Sequence, residues 1–85
     1  MRRVKLDLAP RPLSGAQIRQ VRDALGVSQG VFAAFIHVSV RSLQDWEQDR
    51  KEAPGCAARL IGEMLRDPSY WNRRLREAVE MADSV

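Results

Sequence analysis

Residues 27–47, "VSQGVFAAFIHVSVRSLQDWE", contain one short phrase twice: an apolar residue, a serine, then an apolar residue four places after the serine. The copies are Val27-Ser28 with Phe32 and Val38-Ser39 with Leu43, and a third, Leu13-Ser14 with Ile18, lies upstream. Each copy reads as a helix start. The serine hydroxyl can accept a hydrogen bond from an otherwise unpaired amide of the first turn, while the flanking apolar pair closes as a hydrophobic staple. At Ser14, Gln17 adds the second half of a capping box.

These starts predict helices over roughly 15–25, 29–36 and 40–48, with ends good to about two residues. Gly26 stops the first. Only His37-Val38-Ser39 separates the second from the third, so the chain turns sharply between two short helices, which is a helix-turn-helix geometry. His37 stands where a left-handed residue is wanted, and histidine enters that region more readily than most non-glycine residues. It reads as a turn residue rather than a ligand.

Beyond this unit, "EQDRKEAPG" (47–55) is a charged loop, and Leu60, Ile61, Met64 and Leu65 recur at helical spacing, which predicts a fourth helix over roughly 56–66. Asp67 is the natural N-cap and Pro68 the first residue of a fifth helix. Its Tyr70, Trp71, Leu75, Ala78, Val79 and Ala82 fall on one stripe, opposite Arg73, Arg74, Arg76, Glu77 and Glu80. Upstream, Arg2, Arg3, Lys5 and Arg11 alternate with Val4, Leu6 and Leu8 before Pro10 and Pro12, a basic arm rather than a core helix. Residues 3–8 are the only stretch that could form a strand. The expected fold is all-α with five helices, organised as an arm (1–13), a helix-turn-helix domain (14–66) and a C-terminal helix (67–85).

A chain of 85 residues holds one domain with a modest core, and dimerisation is a common way to complete such a core. The stripe Tyr70, Trp71, Leu75 and Val79 is the candidate dimer surface, with packing on the first helix as its alternative use. No run of about 18 apolar residues could span a bilayer. The basic start lacks the apolar stretch of a secretory signal, so the expected location is cytoplasmic. Cys56 stands alone, with no partner for an internal disulfide and no ligand spacing for zinc, and reads as a small helix residue. There is one histidine, no cysteine-histidine pair and no glycine-rich phosphate loop, so neither catalysis nor a metal or cofactor is expected. The net charge of +3 and pI near 9.8 permit a nucleic-acid partner without requiring one.

Charge placement is more informative. In the third helix Leu43 and Trp46, with Glu47 beside them, face inward and leave Arg41, Gln44, Asp45 and Gln48 as a polar ridge. Such side chains can read base edges in a major groove: arginine bonds guanine bidentately, glutamine suits adenine, and aspartate accepts from cytosine. The plainer reading is a solvated face on which Arg41 and Asp45 pair at i,i+4, worth a few tenths of a kcal/mol, about 0.3–0.5. What favours base reading is the tight turn just before the ridge, because the helix starts at Gln29 and Ser39 both offer open amides to phosphate.

The segment "IRQVRDALGVSQGVFAAFIHVSVRSLQDWEQDR" (18–50) resembles the Cro/CI-type helix-turn-helix repressors, and the likeness extends loosely over 14–66. With "APGCAARLI" following, it is most similar to HigA-type antitoxins, small DNA-binding partners of RNA-cleaving toxins. The resemblance implies a lambda-repressor-like fold and a homodimer that represses from a palindromic operator. As an antitoxin it would autoregulate its operon, neutralise a ribonuclease toxin and be found on the nucleoid of a prokaryotic cell. It also implies that Gln29 touches the DNA backbone, that Val40, Arg41 and Asp45 lie at base-reading positions, that Ser42, Arg50 and Lys51 hold phosphates, and that Arg22 pairs with Glu47. Val40 has two readings, a core contact beside Leu43 or a groove contact to a thymine methyl. The family commonly has glycine where Asp49 stands and a proline nearer the loop start than Pro54. Phe35 occupies a position that is usually polar, which suits either a toxin contact or packing by the arm. Two other functions fit the same residues: a stand-alone phage or mobile-element repressor, and, given Asp45 and Asp49, a protein-interaction module without DNA affinity.

Overall fold

A computed structural model describes residues 11–83 of the chain. Each of the three serines of the repeated phrase caps a helix. Ser14 Oγ accepts from the Gln17 amide at 3.2 Å while Gln17 Oε1 accepts from the Ser14 amide at 3.0 Å, which starts α1 (Gly15–Leu25). Ser28 Oγ accepts from the Val31 amide at 3.2 Å to start α2 (Gln29–Ile36), and Ser39 Oγ accepts from the Ser42 amide at 3.0 Å to start α3 (Val40–Glu47). α4 (Gly55–Arg66) follows the charged loop, and α5 (Pro68–Asp83) is capped by Asp67, whose Oδ1 accepts from the Tyr70 amide at 3.2 Å.

The stops are left-handed residues. Gly26 has φ 68° and His37 φ 63°. At the second stop the His37 amide donates to Ala34 O at 3.2 Å and the Val38 amide to Ala33 O at 2.9 Å, so the last carbonyls of α2 are satisfied as the chain reverses. The left-handed conformation costs a non-glycine residue about 1–2 kcal/mol, which the closed hydrogen bonds and the packing of Ile36 and Val38 offset.

α1 lies against α3, α4 and α5, α2 against α3, and α4 against α5. The shared core contains Ile18, Val21 and Leu25 of α1, Phe32 and Ala33 of α2, Leu43 and Trp46 of α3, Ala57, Ile61 and Met64 of α4, and Leu75 of α5. Among the described residues there are five helices and no strand, so the fold is all-α. Residues 3–8, the one candidate strand, and the arm up to residue 10 lie outside the described residues.

The apolar stripe of α5 divides between the two uses open to it. Leu75 is only 4% exposed and Trp71 packs on the core, so half of the expected dimer stripe is used within the chain, while Tyr70 and Val79 stay exposed. Residues 67–83 therefore pack against α1 and α4, with Leu75 in the shared core. Asn72 Nδ2 reinforces the contact by donating to Leu25 O at the end of α1, at 3.5 Å. No helix among the described residues is long and apolar enough to cross a membrane.

Candidate nucleic-acid interface

The angle between the helices is held by a polar network in the angle itself. Arg22 of α1 donates from Nε to Glu47 Oε2 at 3.0 Å and from Nη2 to Glu47 Oε1 at 3.1 Å, while its Nη1 reaches Val27 O at 3.2 Å. Gln29 Nε2, at the start of α2, donates to the same Glu47 Oε1 at 3.2 Å, and Gln44 Nε2 on α3 donates to Gln29 Oε1 at 3.4 Å. Glu47 is 2% exposed, so its charge depends on these donors. The hydrogen bonds to Glu47 push the Arg22 guanidinium above the usual arginine range, against the opposing effect of burial. Gln29 spends its side-chain amide joining α2 to α3.

With Leu43 fully buried and Trp46 6% exposed, α3 is fixed in rotation. Its first turn points outward: Val40 is 40% exposed and the Arg41 side chain 80%. Val40 is not among the residues of the core or those packed against it. Ser42 is half-buried and accepts from Ser39 Oγ at 2.9 Å, Gln44 is half-buried, and Gln48 is exposed.

Asp45 departs from the expected ridge. It is 5% exposed and does not offer its carboxylate outward. Oδ1 takes Arg50 Nε at 3.1 Å and Arg41 Nε at 3.7 Å, and Oδ2 faces Lys51 Nζ at 3.8 Å. Its backbone oxygen also accepts the Arg50 amide at 2.9 Å and the Lys51 amide at 3.4 Å. The reason is the loop after α3, which curls back over the last turn and brings its two cations to the carboxylate. Arg50 and Lys51 remain 53% and 74% exposed.

The curl depends on Asp49, which adopts φ 58°. Aspartate enters the left-handed region more readily than most residues, so glycine is not required there. Its Oδ1 accepts from the Gly15 amide at 2.8 Å, which directs the acid to the first turn of α1 instead of the neighbouring cations. Gly15 is close against α3: a Cβ would lie against the Glu47 carbonyl oxygen, 2.6 Å from its carbon and 2.9 Å from Trp46 O. Arg19 Nη1 donates to that Glu47 oxygen as well. Sequence reading missed this junction, since nothing local marks a residue near 15 as touching one near 47. The one signal was the missing glycine at Asp49.

Phe35 is half-buried, its ring edge-to-face with Trp71 of α5 at 6.4 Å between centroids. It is thus packed by α5, a partner that was not anticipated. Cys56 is exposed on α4, and no group of metal-ligating side chains exists among the described residues.

Over 62 residues the chain is 36% identical to antitoxin HigA-2 of Vibrio cholerae, an alignment covering 73% of this chain and 60% of that protein. The chain thus spans about three-fifths of the length of the curated relative it matches. No family model matches it.

Proposed function

We propose that this chain is a HigA-type antitoxin whose α2–α3 unit binds double-stranded DNA and represses transcription. The observation that carries the reading is the outward first turn of α3, where Val40 and Arg41 project beside Arg50 and Lys51 from a helix whose rotation is locked by buried Leu43 and Trp46. The likeness to antitoxin HigA-2 supports the antitoxin part.

In this reading Arg41 bonds a guanine edge, Val40 meets a thymine methyl, and Gln44 extends the contact from its half-buried position. Arg50 and Lys51 bind phosphate together with the open amides at the starts of α2 and α3, next to Gln29, Ser39 and Ser42. Three cations around one carboxylate leave two positive charges uncancelled, which disfavours an interaction module that has lost DNA affinity. A homodimer sets two copies of α3 in successive major grooves about 10–10.5 base pairs apart, so the operator is palindromic. Tyr70 and Val79 are large exposed apolar residues of α5 that such a dimer can use. Phe35, half-buried against Trp71, is the candidate contact for a toxin partner.

Selection of duplexes from a random-sequence pool tests the DNA part. Recovery of a palindromic motif supports it, and recovery of no motif contradicts it. Co-purification of a ribonuclease partner tests the antitoxin part separately.

A further inference from the structure

We propose that the buried Asp45 carboxylate is a positioning and specificity-setting group, which aims Arg41, Arg50 and Lys51 at DNA as one fan rather than reading a base itself. The inference rests on the DNA-binding reading above and concerns how that site is built.

Asp45 holds the fan twice over. Its backbone oxygen accepts the amides of Arg50 and Lys51, which fixes the path of the loop, and its carboxylate faces all three side-chain cations within 3.8 Å. Arg50 presents Nε to Oδ1 at 3.1 Å and is held by its inner edge, while Arg41 lies at ion-pair distance, 3.7 Å, and is drawn to the same oxygen less tightly. Both present Nε to the acid, which leaves the outer Nη donors for another acceptor. A long arginine side chain free in solvent loses much rotamer freedom when it engages a base. Tethering at Asp45 removes part of that loss beforehand for Arg41. The same carboxylate offsets one positive charge, which weakens attraction to phosphates of any sequence. Both effects raise the ratio of specific to non-specific binding.

Substitution by asparagine keeps the backbone bonds and the shape and removes the charge. Affinities are measured across salt for two probes: a duplex recovered from a random pool by the wild-type chain, and a scrambled duplex of equal length and composition. Asp45→Asn is expected to bind the scrambled duplex more tightly, with a salt slope steeper by about one, and to lower the specific-to-scrambled ratio by about tenfold. An unchanged ratio and slope overturn the proposal. In an Arg41→Ala background the substitution should lower the ratio by less, because the aimed side chain is gone and only the charge effect remains, and an equal fall in both backgrounds also overturns the proposal. If the wild-type chain recovers no preferred duplex, the DNA reading itself fails, a different result from intact selection that Asp45→Asn leaves untouched. One readout is independent of whether the variant folds: in the wild-type chain the Arg50 Nε–H should exchange with water more slowly than that of exposed Arg73, and equal exchange overturns the tether.

Discussion

Arg22 on α1 and Glu47 on α3 meet through both carboxylate oxygens, at 3.0 and 3.1 Å, and Gln29 on α2 bonds the same carboxylate. One buried acid thus ties together α1, α2 and α3. Glu47→Gln removes the charge, keeps the shape, and leaves Arg22 with an unanswered charge, so it should cost about 3 kcal/mol and lower the melting temperature by more than about 10 °C. Arg22 is held above the ordinary arginine range, so its contribution is fully present below the unfolded-state pKa and is lost only as pH rises through the raised folded value. Melting curves should therefore show no change attributable to Arg22 across about pH 6–8.

Two glycines should respond in opposite ways to alanine. Gly15→Ala forces a methyl into the backbone at the end of α3 and should cost about 1–3 kcal/mol. Gly62→Ala, inside α4 with open space around its position, should gain about 0.5–1 kcal/mol from helix propensity. Denaturant midpoints check the contrast, and equal effects would count against the close approach of α1 to α3.

His37 supplies a left-handed turn residue whose side chain is exposed. His37→Gly should stabilise the chain by about 0.5–1 kcal/mol, and His37→Val should destabilise it because a β-branched residue fits that conformation poorly. Thermal melts of the two variants should move in opposite directions.

Asp49 combines a left-handed backbone with a cap on α1. Asp49→Ala loses the cap and keeps the strain, at an expected cost of about 1–2 kcal/mol. Asp49→Gly loses the cap but relieves the strain and should cost less. The order of the two midpoints is the check.

The helix boundaries were legible because caps are local: Ser14, Ser28, Ser39 and Asp67 each act on an amide three residues on, and Gly26 and His37 each end the helix before them. The inward set of α3 was legible from spacing, and the outward placement of Arg41 followed from it. Asp45 was not, since its surroundings depend on a loop that returns from Asp49 to Lys51, and helical spacing alone puts it on the polar side. For Leu75 and Phe35 spacing left two uses open, for a related reason. An apolar stripe shows that something covers it, and only the packing of α5 on α1 and α4, with Trp71 against Phe35, shows that much of the cover is this chain itself.

The central claim is that the first turn of α3 reads DNA, and the most direct measurement is duplex binding by the wild-type, Arg41→Ala and Lys51→Ala chains across salt. Arg41→Ala should cost about 1–3 kcal/mol on a selected duplex and little on a scrambled one, while Lys51→Ala should weaken both alike and reduce the salt slope by about one. Titrations that stay flat at low ionic strength, or equal losses on both duplexes for both variants, would contradict it.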